Sequence, residues 1–325
     1  MSQIDALKRD TAHSYFQPRR LGHANLFVKD YAQAADYYSS VVGIREVYRQ
    51  PDNMASFVSN GNTYHDLGLT DVRSRYASKN QGPGLWHLAF ELETEVDLVT
   101  GYRQAINAGV KFAFMQDHDV AHSLYQHDPD GLLVEIYADV MKDWRSNRHG
   151  TIIKEKPDYV PGVTSPATPE RNYPQNPKLE IVKEAVFHPK KVTHVALVAV
   201  KYEEMVRFYT ERVGLVLLIG NERSSYAVLR GTTGAGAITL YRQKRGLEAG
   251  FHHVGFEVWN ETDLDRSLKL LPRPDTKLVR EIDHPARRSI VVQDPDGIYL
   301  QFYVNRTWTP EVIATASDET ALYLL

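Results

Sequence analysis

The chain contains no cysteine, which excludes disulfide bonds and thiolate metal sites. Any metal that it binds must therefore use histidine, carboxylate or backbone oxygen ligands. It also lacks an apolar run long enough to span a bilayer, and its first residues, MSQIDALKRDTAHSYF, lack the apolar segment of a signal peptide. These absences predict a cytoplasmic protein with no membrane partner.

Neither sign of charge dominates the chain. Its 325 residues carry a net charge of −3 that is spread along the sequence, so no nucleic-acid partner is expected. Hydrophobic residues make up 42% of the chain and charged residues 24%, as is typical of soluble globular proteins. The length is sufficient for two domains of ordinary size or for several small repeats.

An internal repeat organises the chain. The segment LGHANLFVKDYAQAADYYSSVVGI (21–44) matches VTHVALVAVKYEEMVRFYTERVGL (192–215). His23 aligns with His194 in this match, at a separation of 171 residues. The first half of the chain therefore has a counterpart in the second half.

A later pair of segments repeats as well, at a second constant separation. GLWHLAFELE matches GFHHVGFEVW, and HDPDGLLVEIY matches QDPDGIYLQFY. His87 aligns with His253, and Glu135 aligns with Gln301, each at a separation of 166 residues. Two constant separations over long spans indicate that the chain is a duplicated half.

Each half divides again into two similar modules. A strand that begins with histidine precedes an amphipathic helix and further strands, with Asp30 as an N-cap and Gly43 as a helix stop in the first module. We therefore predict an α+β fold of four βαβββ modules, at about 20–75, 83–140, 191–243 and 249–305.

The modules predict a domain organisation in pairs. The predicted segments are an N-terminal module pair at 1–145, a polar, proline-rich linker at 146–190, a C-terminal module pair at 191–305 and a tail at 306–325. A short helix in the tail would cover a neighbouring surface.

Three residues of the first half have the chemistry of a metal site. His23 and His87 open the first strands of modules 1 and 2, and Glu135 lies in an otherwise apolar strand. A carboxylate is costly to bury there unless it is paired or binds a metal. Two imidazoles and one carboxylate suit non-haem Fe(II), and Mn(II) fits the same ligands. Taken singly, each histidine has a structural explanation as a hydrogen-bonded core residue, and Glu135 as the partner of an arginine.

With these residues in these strand positions, the chain resembles the vicinal oxygen chelate superfamily, and within it the extradiol catechol dioxygenases. The resemblance covers nearly the whole chain except the first residues, the linker and the tail. It implies that His23, His87 and Glu135 are the metal ligands. It also implies Fe(II) as the cofactor, a catechol-type substrate with O₂, and a homo-oligomer.

The resemblance further implies which residues act on the substrate. TYHDLGLT supplies His65 at the position of an acid–base catalyst beside the bound O₂. DHDVAHSLYQHDPDG supplies Tyr125 three residues before the turn, with His118 as the preferred loop histidine and His122 as the alternative. Four further candidates for the pocket are Trp86, Phe112, Phe114 and Met115.

The second half departs from the pattern of the family. It keeps His194 and His253 but has Gln301 in place of the glutamate, and Val291 in place of the tyrosine. Only His284 resembles the loop histidine. An amide brings no charge to offset Fe(II), so we expect a catalytic N-terminal half and a structural C-terminal half, while a second metal at Gln301 stays an alternative.

The predicted function is meta cleavage of a catechol-type ring to a product of the 2-hydroxymuconic semialdehyde type. Two alternatives remain open. One is a metal-dependent isomerase or lyase of the same superfamily, similar to glyoxalases or epimerases, which takes a fourth protein ligand where this chain has His65. The other is a non-catalytic ligand-binding protein, although such proteins tend to lose the ligand triad.

Overall fold

The computed structural model describes residues 14–78, 81–153, 157–233 and 237–325. In these ranges the first half of the chain forms a mixed sheet of nine strands: β1 (Arg20–Val28), β2 (Arg45–Arg49), β3 (Ala55–Ser59), β4 (Leu67–Asp71), β5 (Gly84–Glu91), β6 (Phe114–Asp117), β7 (Ala121–His127), β8 (Leu133–Asp139) and β9 (Gly150–Thr151). Their order across the sheet is β6-β7-β8-β5-β1-β4-β3-β2-β9. The first strands of modules 1 and 2 are therefore neighbours at the centre.

The second half repeats this arrangement. Its described residues form eight strands: β10 (Pro189–Ala199), β11 (Val216–Gly220), β12 (Tyr226–Arg230), β13 (Ile238–Arg242), β14 (Gly250–Val258), β15 (Lys277–His284), β16 (Arg287–Gln293) and β17 (Tyr299–Asn305). Their order is β11-β12-β13-β10-β14-β17-β16-β15, which is the order of the first sheet without β9. Duplication of the half is thus visible strand by strand.

A helix follows the first strand of each module. The four module helices are α1 (Tyr31–Tyr37), α2 (Glu95–Asn107), α3 (Tyr202–Arg207) and α4 (Glu261–Leu270), and the tail adds α5 (Pro310–Ile313) and α6 (Asp318–Leu324). Helices α1 and α3 continue into π-helical turns at Tyr38–Val42 and Phe208–Arg212. The predicted α+β fold of four βαβββ modules is confirmed.

The ends of α1 follow from local chemistry. The side chain of Asp30 accepts a hydrogen bond from the amide of Gln33, as an N-cap does. Gly43 ends the π-helical turn with a φ of 82°, and a β-carbon there would collide with the carbonyl of Phe187. Glycine is thus required both by the backbone conformation and by the close approach of a second segment.

The DPDG turns join the two halves to each other. Asp128 accepts a hydrogen bond from the hydroxyl of Tyr209 at 3.0 Å, and Asp294 accepts one from the hydroxyl of Tyr38 at 3.2 Å. Burial raises the pKa of each of these aspartates to about 6. The sequence indicates only turn geometry for the aspartates, whereas the structure adds a reciprocal contact between the halves.

Apolar packing also crosses between the halves. One hydrophobic cluster contains buried residues of both sheets, and the ring of Phe90 packs edge-on against Tyr209 with 6.0 Å between centroids. Between β9 and β10 the described residues form no helix or strand, and Asp158 makes an isolated bridge to Gln116 on β6. No helix in the described part of the chain is long and apolar enough to cross a bilayer. The domain boundaries stay a prediction.

Removal of either tyrosine hydroxyl should weaken the contact between the halves. Tyr38→Phe and Tyr209→Phe each leave a buried aspartate oxygen without its donor, so each should lower the free energy of unfolding by about 1–2 kcal/mol. Urea denaturation measures the change, with Tyr102→Phe as a control outside this contact. A loss for one variant and none for the other would contradict the reciprocal arrangement.

Candidate functional site

Three neighbouring strands bring His23, His87 and Glu135 to one face of the first sheet. His23 on β1 lies opposite Ala89 on β5, and Ala89 lies beside Glu135 on β8. Because side chains alternate along a strand, His87 lies on the same face as Ala89, which is two residues further along β5. Ala89 lies between His23 and Glu135, and its small side chain leaves space above the strand for both longer side chains to converge.

The three side chains meet at one carboxylate oxygen. Nε2 of His23 and Nε2 of His87 each lie 3.2 Å from Oε2 of Glu135, while Ser123 donates a hydrogen bond to Oε1 at 2.6 Å. Burial disfavours the charge on Glu135, but the interactions with His23 and His87 outweigh it and hold the pKa of the carboxyl well below its usual range. Glu135 is therefore ionised.

The geometry fits a divalent metal ion of the first transition row. One donor atom from each of the three residues lies within 4.8 Å of the other two, and this is the only such group of histidine, cysteine or acidic side chains found in the described ranges. Two neutral imidazoles and one carboxylate are the donors of the facial triad, which leaves coordination positions open.

The three residues line a cavity of about 110 Å³ that is partly open to solvent. Of the residues predicted around the metal, His65, His118 and Tyr125 line this cavity, and so do Trp86 and Phe114. Phe112 and Met115 lie elsewhere and pack against a separate cluster around Phe16 and Leu124.

His118 and Tyr125 form a hydrogen-bonded pair in the cavity wall. Nε2 of His118 lies 2.9 Å from the hydroxyl of Tyr125, and both side chains are buried. Tyr125 is also the register partner of Glu135. Burial, followed by the charge of Glu135 and its hydrogen bond, raises the pKa of Tyr125 well above its usual value. The phenol is therefore neutral and keeps its proton for donation.

His65 lies just before β4, across the cavity from this pair. It is buried, and its ring centroid is 4.0 Å from that of His23 and 5.1 Å from that of Phe57. The predicted "HD" histidine is thus adjacent to a ligand without belonging to the three-residue group. This position suits a side chain that acts on a molecule bound beside the metal.

His122 is the one predicted catalytic residue that does not reach the site. It lies three positions before Tyr125 on β7, so it faces the other side of the sheet. There its Nδ1 lies 2.6 Å from Glu95 and its ring stacks on Tyr159 with 4.0 Å between centroids. Of the two candidates for the loop histidine, His118 lines the cavity and His122 does not.

Several polar residues that line the cavity were not predicted from the sequence. They are Asn25, Gln50, Thr70, Tyr76 and Gln116, all of which line the space around the metal ligands. Alternation could have identified Asn25, since it follows His23 by two residues. Nothing local identifies Gln50, because it directly follows β2 and lies outside any strand.

The second half keeps the register but not the chemistry. His194 lies opposite Gly255, which lies beside Gln301. The amide nitrogen of Gln301 donates to Ser289 at 3.1 Å and to the main-chain oxygen of Tyr323 on the tail helix α6. The Gln301 side chain, which replaces the carboxylate, is therefore hydrogen-bonded to Ser289 and to the tail.

The tail and a buried arginine contact the residues of the second site. A β-carbon at Gly255 would collide with the ring of His194, whereas the first half has Ala89 at the matching position. The ring of Tyr323 packs against His253 with 5.3 Å between centroids. The buried guanidinium of Arg287 donates to the main-chain oxygen of Tyr323 at 3.4 Å.

Val291 and His284, the other two residues compared with the first half, lie at the positions that the repeat predicts. Val291 is the register partner of Gln301, as Tyr125 is of Glu135. His284 ends β15 and contacts Thr315 in the tail through its Nε2 at 3.2 Å. Neither provides a counterpart of the His118–Tyr125 pair.

Comparisons with known proteins agree on one family. The model of the glyoxalase/bleomycin resistance protein/dioxygenase superfamily matches residues 20–136 and 191–302, one match in each half. A catechol-2,3-dioxygenase of Bacillus subtilis (strain 168) is 23% identical over 317 residues, which cover 90% of this chain and 99% of that protein. Biphenyl-2,3-diol 1,2-dioxygenase 3 of Rhodococcus globerulus is 30% identical over 37% of this chain and 63% of its own length.

Solved structures share the fold at low sequence identity. The 2,3-dioxygenase LapB from Pseudomonas sp. KL28 superposes with a TM-score of 0.65 at 14% identity, covering 92% of this chain and 99% of that one. The Mn(II)-bound glyoxalase from Novosphingobium aromaticivorans gives a TM-score of 0.63 at 15% identity, covering 89% and 82%. Because both a dioxygenase and a glyoxalase match, the overall fold leaves the choice of reaction to the local site.

Substitutions at Glu135 and at its counterpart Gln301 should have different effects on the metal content of the protein. Glu135→Gln removes the only charge of the three-residue group, so we expect the metal content after anaerobic loading and desalting to fall from about one per chain to near zero. Gln301→Glu should add no second metal, since the guanidinium of Arg287 lies beside the side chain at position 301 and would pair with the new carboxylate. Elemental analysis checks both, and two metals per chain in the wild type would contradict the assignment.

The second half should also lose stability in acid. Burial, followed by the charge of Arg287, lowers the pKa of His194 to about 3. Between the ordinary histidine pKa of about 6.5 and this value, the unfolded chain binds a proton that the folded chain does not. The free energy of unfolding should therefore fall by about 1.4 kcal/mol per pH unit for this group as the pH drops below about 6.5.

Urea denaturation at pH 7.5, 6.0 and 5.0 measures this slope. His194→Asn should flatten it, whereas His149→Asn, a change at an exposed histidine, should leave it as in the wild type. An unchanged slope in His194→Asn would exclude His194 as its source.

Proposed function

The chain belongs to the glyoxalase/bleomycin resistance protein/dioxygenase superfamily, and on this premise we propose that it is an extradiol ring-cleaving dioxygenase. It would use Fe(II) and O₂ to open a catechol-type ring. The observation that supports this most directly is the triad of His23, His87 and Glu135 in a cavity that also holds the His118–Tyr125 pair. The related catechol-2,3-dioxygenase of Bacillus subtilis spans 90% of this chain.

His23, His87 and Glu135 would hold the metal. When bound there, Fe(II) supplies open positions for both catechol oxygens and for O₂, which brings the two reactants together on one centre. The ionised carboxylate offsets part of the metal charge. Mn(II) accepts the same donors, and the identity of the metal is part of the proposal.

The His118–Tyr125 pair would bind and deprotonate the catechol. The neutral phenol of Tyr125 can donate a hydrogen bond to a catechol oxygen, and the hydrogen bond of 2.9 Å links it to an imidazole that can accept a proton. Both side chains are buried. Loss of a catechol proton would increase the negative charge on that oxygen and make it a better donor to Fe(II).

His65 would manage protons on the opposite side of the cavity. Its imidazole lies beside His23, with 4.0 Å between ring centroids, and can both give and take a proton near neutral pH. We assign to its imidazole the transfer of a proton at Nδ1 or Nε2 on this side of the cavity during cleavage of the ring. Cleavage beside the two hydroxyls gives a product of the 2-hydroxymuconic semialdehyde type.

Aromatic walls would hold the planar ring. Trp86 stacks on Phe27 with 5.0 Å between centroids, and Phe114 stacks on Tyr125 at 4.3 Å. Such walls bury a flat apolar ring and limit the access of water. A homo-oligomer and a cytoplasmic location stay predictions from the sequence.

Oxygen uptake on a panel of catechols tests this proposal. Protein purified without air and loaded with Fe(II) should consume O₂ with at least one catechol and form a product with the visible absorbance of a ring-opened semialdehyde. Glu135→Gln should be inactive, and Gln301→Asn serves as the matched change in the second half. If the Fe(II)-loaded protein consumes no O₂ with any catechol, the isomerase or lyase alternative takes precedence.

Two histidines on β6–β7 give a sharper comparison. His118→Asn should lower kcat by about 10²–10⁴-fold, the usual effect of losing a general acid or base. His122→Asn should keep kcat near the wild-type value, because His122 faces Glu95 and not the cavity. Steady-state kinetics of the two variants at equal metal content provides the test, and the opposite ranking would overturn the assigned role of His118.

A further inference from the structure

We propose that Arg148 is a positioning residue that holds His118 in the cavity wall. The role of His118 rests on the proposed function. The hydrogen bond from Arg148 to the His118 turn is a separate observation that does not depend on it. Arg148 lies in the segment predicted as a linker, and no feature of the sequence connects it with the site.

The guanidinium of Arg148 is buried against the His118 turn. The residue is 2% exposed and follows a short 3₁₀ turn, Trp144–Ser146. Its Nη2 donates to the main-chain oxygen of His118, and its Nη1 donates to the main-chain oxygen of Asn147 at 3.0 Å. Nη2 also lies 3.1 Å from Asp119, but the half-exposed carboxylate makes this ion pair weak. The hydrogen bond to the main-chain oxygen of His118 is therefore the contact that positions the turn.

The turn that carries His118 needs such support. Asp119 has a φ of 59°, a left-handed conformation that is unfavourable for a residue other than glycine. The carbonyl oxygen of His118 accepts from the amide of Val120 at 2.7 Å and from Arg148 as well. Both acceptor positions of one carbonyl are thus used to fix this tight turn.

Arg148 also connects the two edges of the first sheet. The His118 turn joins β6 to β7 at one edge, while β9, at the other edge, begins two residues after Arg148. The guanidinium lies 5.6 Å from the ring centroid of Tyr48 on β2, next to β9. The side chain therefore lies between groups from both edges of the sheet.

Loss of this contact should affect catalysis more than substrate binding. The hydrogen bond of 2.9 Å between His118 and Tyr125 requires the imidazole to stay in place, and a shift of about 1 Å in a catalytic group can reduce the rate by roughly 10²-fold. His23, His87 and Glu135 lie on β1, β5 and β8, none of which is joined by the His118 turn. The consequence is a fall in kcat with little change in KM.

Substitution of Arg148 tests the proposal with two readouts. Arg148→Met should lower kcat by about 10- to 100-fold at unchanged metal content, with KM changed by less than about 3-fold. Arg148→Lys should recover part of kcat, since an ammonium can still donate to the His118 carbonyl. Independently of activity, amide hydrogen exchange at residues 118–121 should become faster in Arg148→Met and less so in Arg148→Lys.

Arg287→Met provides the matched control. Arg287 is also 2% exposed and also donates to main-chain oxygens, but in the second half, so its loss should leave kcat and exchange at 118–121 unchanged. Wild-type kcat and exchange in Arg148→Met would overturn the proposal, as would loss of metal or of fold in that variant. If the wild type cleaves no catechol, the proposed function fails, and exchange alone decides whether Arg148 holds the turn.

Discussion

The first half depends on how one buried carboxylate is compensated. Glu135 is 2% exposed in an apolar strand, where an unpaired charge is unfavourable by several kcal/mol. Two imidazoles approach one of its oxygens and the hydroxyl of Ser123 donates to the other. These partners come from β1, β5 and β7, so the carboxylate is stable only while four strands keep their register. A metal ion bound by the same groups would reinforce that register.

The second half indicates what replaces such a charge. Its strands keep the same register, yet an amide takes the place of the carboxylate and donates a hydrogen bond to the tail. The cation there is the guanidinium of Arg287, which is satisfied by main-chain oxygens of Tyr323 and Leu325. The exchange of Glu for Gln therefore belongs to a set of changes that distinguishes the second copy of the site from the first. The reciprocal Tyr–Asp contacts keep both copies in one structure.

Much of the site was predictable because strand registers follow from repeats. Two constant separations predict the modules, and alternation along β5 and β8 fixes the face of His87 and Glu135. Alternation along β7 also places His122 on the face opposite to Tyr125, whereas the position of His118 depends on where the β6–β7 turn begins. Arg148 was unpredictable for a related reason, because its partner is a backbone carbonyl thirty residues away and carries no side-chain signal.

The central claim is that a single metal centre lies in the N-terminal half. Anomalous diffraction at the iron absorption edge, from crystals of the protein loaded with Fe(II) without air, tests it most directly. The account predicts one peak per chain, within bonding distance of His23, His87 and Glu135. A peak between His194 and His253, or the absence of any peak at Glu135 in protein that contains iron, would contradict it.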